Sequence, residues 1–242
     1  MKRVIIFGAS SGIGRQLADI YAREGCALGL AARRLDLLEP LAQELGGKSV
    51  AMQMDVSMSE ETVAKLDALI QALGGMDLLI ISAGTGHINP GLEWQYESDT
   101  IDVNVRGFTA LVGAAMQYFL RQGSGHLAAI SSVAALRGSA NSPAYNASKA
   151  FMSNYMEGLA CKAKASGNRI AVTDIRPGFV DTAMAQGDGL FWVALPDKAA
   201  RQIARIIARR KACGYVTKRW ALVAVLLKLM PRRLYMSLFK NG

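Results

Sequence analysis

With 242 residues, 51% of them hydrophobic, the chain is long enough to bury a full core as one α/β domain, and neither a low-complexity linker nor an internal repeat divides it. Its three cysteines, Cys26, Cys161 and Cys213, and its two histidines, His87 and His126, fall in no paired or ligand-like spacing, which excludes a disulfide framework and a metal centre. The net charge of +9 is uneven: Lys198 to Gly242 holds twelve Lys and Arg and no acid, whereas the first 197 residues hold sixteen basic and nineteen acidic residues.

The first expected element is the apolar run Val4-Ile5-Ile6-Phe7, a strand of buried type, which passes through Gly8-Ala9-Ser10-Ser11-Gly12-Ile13-Gly14 into a helical pattern carrying Ile13, Leu17, Ile20 and Tyr21. Such a turn lets the backbone approach a pyrophosphate closely, and the helix start offers unpaired N–H groups and partial positive charge. The spacing is G-x-x-x-G-x-G, not the commoner G-x-G-x-x-G. A second strand, Ala27 to Ala31, ends at Ala32-Arg33-Arg34, where a fold that prefers NAD places an acid for the ribose 2′-hydroxyl. A guanidinium there binds a 2′-phosphate instead, so Arg33, with Arg34 as second choice, points to NADP(H); the alternative is two solvated arginines opening the next helix, at Leu35.

Further along, Val50 to Met54 and Leu78 to Ile81 read as strands ending in Asp55-Val56 and Ser82-Ala83-Gly84. Strand ends on one edge of an open sheet converge on a ligand crevice. A helix expected from about Ser98 to Arg121 carries Asn104, and Leu127 to Ile130 leads to Ser131-Ser132, with alternation turning Ser131 to the opposite face. A helix from Ala144 to Ala163 carries Tyr145 and Lys149 one turn apart, thirteen residues after Ser132 in the case of Tyr145. A sixth strand, Ile170 to Ile175, runs into Arg176-Pro177-Gly178-Phe179-Val180-Asp181-Thr182. The expected fold is therefore a doubly wound Rossmann-type parallel sheet with helices on both faces, residues 1–197 forming the core and 198–242 a basic, apolar helical extension of the same domain.

Taken together, the glycine turn, Asp55-Val56, Ala83-Gly84, Asn104, Ser132, Tyr145-x-x-x-Lys149 and Pro177-Gly178 resemble the short-chain dehydrogenase/reductase family, from about residue 3 to about residue 185. The resemblance implies that Gly8, Gly12 and Gly14 form the pyrophosphate turn with Ser10, Ser11 and Ile13, and that Asp55 and Val56 contact the adenine. It also implies that Ala83 and Gly84 line the cofactor and that Pro177, Gly178, Val180 and Thr182 border its nicotinamide end, Thr182 also fitting a helix N-cap. Phe7, Ile81 and Ser82 depart from the family's frequent Thr before the first glycine and its Asn pair before Ala-Gly.

Reducing a carbonyl needs a hydride donor at carbon and a proton donor at oxygen. Free tyrosine, with a pKa of about 10, is too weak an acid near neutral pH. An ammonium one helical turn away stabilises tyrosinate and is expected to lower that value, which the Tyr145 and Lys149 spacing permits. By resemblance Tyr145 is the general acid/base, Lys149 also holds the nicotinamide ribose, Ser132 positions the substrate oxygen, and Asn104 helps order a water and the lysine. His87 lies where the family's cleft opens, whereas His126 beside a strand start reads as structural.

Met184 to Val193 reads either as a lid over an apolar substrate or as core packing by Phe191 and Trp192. In the basic end, Trp220 to Leu227 and the Leu234, Tyr235, Leu238, Phe239 face suit an anionic membrane surface or a helix packed on the core or on a neighbouring subunit. No nucleic-acid-binding module is recognisable. The opening apolar run is too short for a signal peptide and its cleavage would destroy the nucleotide turn, so a cytoplasmic enzyme is expected, peripheral at the inner membrane face if the basic end binds lipid. The expected activity is NADP(H)-dependent interconversion of a carbonyl and an alcohol, on an apolar or lipid-linked substrate. The rival is a nucleotide-sensing or scaffold protein without turnover. A homodimer or homotetramer through the helices at 98–121 and 144–163 is implied by resemblance alone.

Overall fold

The computed structural model describes residues 1–185 and 191–237. Its strands are β1 (Arg3–Phe7), β2 (Ala27–Ala32), β3 (Ser49–Gln53), β4 (Leu78–Ile81), β5 (Ser124–Ile130), β6 (Arg169–Pro177) and β7 (Cys213–Val216). They form one parallel sheet in the order β3-β2-β1-β4-β5-β6-β7. The helices are α1 (Gly12–Arg23), α2 (Leu35–Leu45), α3 (Ser59–Leu73), α4 (Trp94–Ile101), α5 (Phe108–Gln122), α6 (Pro143–Ala165), α7 (Pro196–Ala208), α8 (Trp220–Leu229) and α9 (Arg232–Ser237).

Two cores flank the sheet, and β1 feeds both. Val4 and Ile6 point to the side covered by α1, α2 and α7, whereas Ile5 and Phe7 point to the side covered by α3, α5 and α6. A parallel strand covered on both faces has no solvent side to favour polar alternation, which is why this run is apolar on both faces. Full burial of each such side chain contributes roughly 1.5–3 kcal/mol. The strand order reverses between β1 and β4, the topological switch point at which sheets of this kind bind ligands. The loops leaving those two strands touch: a Cβ on Gly8 would stand 2.6 Å from the Ala83 nitrogen.

Two expectations need correction. The basic end is not all helix: α7 buries Ala199, Ala200, Ile203 and Ile207 in the core, and β7 joins the sheet through Asp174 to Pro177 of β6. Its sequence, Cys213-Gly214-Tyr215-Val216, buries only Val216 fully, so strand formation there comes from the waiting edge of β6 more than from local pattern. The expected helix from Ser98 to Arg121 is interrupted by a π-helical turn, Asp102–Gly107. A Cβ on Gly107 would lie 1.9 Å from the Val56 carbonyl oxygen, so glycine lets the exit of β3 press against this turn. Residues Gln186 to Leu190 of the expected lid, and Leu238 and Phe239 of the C-terminal apolar face, lie outside the described residues. Among the described residues no helix is long and apolar enough to cross a membrane, and no His/Cys/Asp/Glu group is arranged to hold a metal.

His126 is a core histidine. It is 4% exposed, its Nε2 lies 2.8 Å from Thr173 Oγ1, and burial pushes its pKa down to about 4. The unfolded chain, with an ordinary value of about 6.5, binds more protons between these two values. Stability is therefore full above about pH 6.5 and falls as the pH drops toward 4, by up to about 3 kcal/mol from this residue. Urea unfolding at about pH 7 and about pH 4.5 should show a smaller acid loss in His126→Gln than in the wild type. Equal losses in both would contradict this role.

Candidate active site

The glycine turn is shaped by backbone requirements. Gly8 (φ +83°) and Gly12 (φ +54°) occupy left-handed conformations, and a Cβ on Gly14 would stand 2.1 Å from the Gly8 carbonyl oxygen. Ser11 precedes α1 without a side-chain capping bond, which leaves the first-turn N–H groups, Gly12 and Ile13 among them, directed out of the helix end. Of the two arginines after β2, Arg34 is the one whose guanidinium reaches this turn, 3.3 Å from Ser10 Oγ and 3.1 Å from Ser11 Oγ. Arg33 is exposed beside it, and its carbonyl accepts from Gln53 Nε2 at 2.9 Å.

The neighbouring loops close around the turn. Asp55 Oδ1 accepts the Ser57 N–H at 3.0 Å and the Ser57 hydroxyl at 2.7 Å, stiffening the exit of β3, while Val56 is buried. After β6, the Thr182 methyl stands 3.1 Å from where a Cβ on Gly12 would be. Val180 is buried and bridges to Ala194. A Cβ on Gly178 would fall 1.9 Å from a ring carbon of Trp220, so the Pro177-Gly178 turn lies directly under that indole.

Ser132, Tyr145, Lys149 and Asn104 gather around Ala83-Gly84-Thr85-Gly86, the exit of β4. Asn104, in the π-helical turn, is buried. Its Oδ1 accepts the Thr85 N–H at 3.0 Å, and its Nδ2 donates to the Thr85 carbonyl at 2.7 Å and to Ser148 Oγ at 3.0 Å. The Lys149 ammonium donates to the Ile130 carbonyl at 3.2 Å and lies 5.7 Å from the centroid of the Tyr145 ring. Glycine is needed twice here: a Cβ on Gly84 would be 3.2 Å from both Asn104 Oδ1 and Lys149 Nζ, and a Cβ on Gly86 only 2.3 Å from Tyr145 Cδ2. Ser132 accepts the Ala134 N–H at 3.1 Å and neighbours the Tyr145 hydroxyl. Ser131 faces the other way, donating to the Asp174 carboxylate and accepting from Ser153 at 3.2 Å.

Burial pushes the Tyr145 phenol up, and the Ser132 hydroxyl only partly opposes this. The expected lowering by Lys149 is not the net result, because the ammonium is turned to the Ile130 carbonyl and desolvation of the phenolate outweighs it. Lys149 itself is pushed down to about 8, chiefly by burial, with buried Asp174 acting the other way. His87 follows Gly86 at the cleft edge, its Nε2 held 2.7 Å from Asp99 Oδ2.

Thr85, Gly86 and Ser148 were not singled out from sequence, although they fix Asn104 and the Tyr145 ring. The Gly84-x-Gly86 repeat and the small residue beside Lys149 were the available signals. The result is a crevice at the switch point with an anion-ready helix end on one side and two adjacent hydroxyls, backed by a buried ammonium, on the other. Such a pair of hydroxyls can hold an oxygen atom and exchange a proton with it.

Residues 2–189 match the family described as short chain dehydrogenase. An uncharacterized oxidoreductase of Myxococcus xanthus is 37% identical over 188 residues, 76% of this chain and 74% of that one. Another, of Staphylococcus aureus, is 34% identical over 186 residues, 76% of this chain and 80% of its own. Among solved structures, a short-chain dehydrogenase from Sphingobium yanoikuyae in complex with NADPH superposes with a TM-score of 0.81 at 26% identity, covering 100% of this chain and 98% of that one. An alcohol dehydrogenase from the archaeon Thermococcus sibiricus, complexed with 5-hydroxy-NADP, gives 0.78 at 25% identity over 89% of this chain and 96% of its own. The sheet order, the crevice and a match spanning most of the sequence agree, and the chain belongs to the short-chain dehydrogenase/reductase family of oxidoreductases.

Proposed function

We propose that this oxidoreductase transfers hydride between NADP(H) and a carbonyl/alcohol pair, with Ser132, Tyr145, Lys149 and Asn104 carrying the chemistry. The observation that supports it most is the convergence of the Ser132 and Tyr145 hydroxyls and the buried Lys149 ammonium beside the glycine turn.

The residues fit a phosphorylated dinucleotide. Gly12 leaves open the space that a Cβ would fill toward Thr182, the α1 end offers N–H groups without a side-chain cap, and Arg34 and Arg33 bring positive charge where a 2′-phosphate belongs. The relatives in the two superposed complexes hold NADPH and 5-hydroxy-NADP, in keeping with this choice. When bound, NADPH supplies the hydride. Ser132 donates a hydrogen bond to the substrate oxygen and sets its distance from Tyr145. Burial keeps the Tyr145 proton in place until negative charge grows on that oxygen, and the phenol then donates it. The Lys149 ammonium stabilises the resulting tyrosinate, and Asn104, tied to Thr85 and Ser148, holds the floor of the site.

We further propose an apolar substrate, since Ile88, Leu92, Phe191 and Trp192 are all at least 45% exposed on segments that follow the site loops. Exposed Phe151, stacked on Tyr155 of α6, supports pairing of subunits through that helix. Scattered free thiols support a reducing, cytoplasmic setting. A panel of aldehydes and ketones of rising chain length, with NADPH oxidation followed by absorbance, should give kcat/KM values that increase with apolar length. A decline with length would contradict the apolar pocket, and no oxidation of NADPH with any member would contradict the activity.

A further inference from the structure

The face of α8 that looks outward is the apolar one. Leu222, Val225, Leu226 and Leu229 recur at i, i+3, i+4 and i+7 and are 76%, 56%, 60% and 78% exposed, whereas Trp220 and Ala224 on the other face are buried. A solvent-facing helix in a globular domain has the reverse pattern, and four aliphatic side chains in one stripe form a contiguous patch, not scattered surface residues.

Both ends of α8 are tied to the body of the domain. The Arg137 guanidinium donates to the Leu227 carbonyl at 2.8 Å and to that of Met230, closing the C-terminal end of α8 and tying it to the loop that leaves Ser132. At the other end, the Trp220 indole stacks on Phe191, centroids 5.2 Å apart, and covers Gly178. The stripe therefore sits beside the mouth of the candidate active site.

What covers it is decided by charge. Lys218 and Arg219 precede the stripe and Lys228, Arg232 and Arg233 follow it, with no acid from Lys198 onward. Two clefts next to the start of α8, of about 390 and 410 Å³, are lined by further cations, Lys198, Arg205 and Arg209 among them. Pairing this face with a second copy would bring the two basic sets together, which like-charge repulsion opposes, whereas an anionic bilayer offers phosphates to the cations and hydrocarbon to the leucines. We propose that α8 is a membrane-docking helix lying in the interface of an anionic phospholipid bilayer, its aliphatic stripe in the acyl boundary and the flanking cations on lipid phosphates. The inference rests on this surface and not on the redox chemistry, so either can fail without the other.

Deleting the segment would strip Trp220 from the Pro177-Gly178 turn, so the test uses exposed substitutions in the full chain. Wild type and Leu222→Gln/Leu226→Gln/Leu229→Gln are mixed with vesicles of phosphatidylcholine alone or with added phosphatidylglycerol, at low and high salt, and sedimented. Wild type should pellet with the anionic vesicles only and be released by salt, since each basic residue near the surface multiplies partitioning by roughly fivefold and the Debye length shrinks with ionic strength. The triple variant should partition at least about tenfold more weakly while keeping its melting temperature and NADPH affinity. Wild type remaining in the supernatant, undiminished pelleting of the variant, or a dimer that the substitutions dissociate without changing vesicle binding would each overturn the proposal, the last in favour of a second copy.

Discussion

Tyr145→Phe is expected to lower kcat by about 10²–10⁴-fold on any substrate the wild type reduces, with NADPH affinity within about twofold of wild type. The ring is retained, and with it the contact that forces Gly86 to be glycine, so the β4 exit loop keeps its place. Only the proton donor is lost. Lys149→Ala should differ by damaging affinity and rate together, because Nζ is bonded to the Ile130 carbonyl at the sheet edge and lies beside the tyrosine ring. Stopped-flow hydride transfer and fluorescence titration of NADPH separate the two effects. A Tyr145→Phe variant with near-normal turnover would remove the acid from the scheme.

The second large effect concerns coenzyme choice. Wild type should bind NADPH more tightly than NADH, and Arg34→Ala should weaken NADPH by roughly 10- to 100-fold, the loss of charge-assisted hydrogen bonds worth about 1.5–3 kcal/mol, with NADH little affected. Arg33→Ala should have a smaller effect, because it is the Arg34 guanidinium that reaches both serines of the turn. Calorimetric titration of both coenzymes checks this. Equal affinities in wild type, or a preference unchanged in the double variant, would sink the assignment of these arginines.

The central strands could be read from sequence because burial on both faces leaves Val4 to Phe7, Ala27 to Ala32 and Leu78 to Ile81 without a polar side chain, whereas β5 is apolar only from Leu127 to Ile130, its buried His126 being held by Thr173. The closeness of Tyr145 and Lys149 was readable from one helical turn of spacing, whereas Ser132, on another element thirteen residues earlier, was placed beside them by the family resemblance alone. What escaped the sequence depends on tertiary context. In the π-helical turn that carries Asn104, Gly107 leaves room for the Val56 carbonyl of a distant strand exit, and β7 is defined by its pairing with β6 more than by its own pattern. The relative placement of Arg33 and Arg34 depends on side-chain direction, which two adjacent arginines at a strand end do not reveal. The direction of the Tyr145 shift followed from how deeply the phenol is buried, a quantity that the spacing to Lys149 does not carry. The outward apolar face of α8 was present in the sequence as aliphatic content, but only its packing distinguishes a core helix from an exposed one.

The proposed reaction is hydride transfer from NADPH to a carbonyl carbon at the Ser132–Tyr145 pair. NADPH deuterated at the transferring position of the nicotinamide, incubated with the enzyme and its best carbonyl substrate, should give an alcohol carrying one deuterium at the former carbonyl carbon, read by mass spectrometry, and Tyr145→Phe should give almost none. Loss of NADPH without deuterium in the alcohol, or equal label transfer by the variant, would contradict the account.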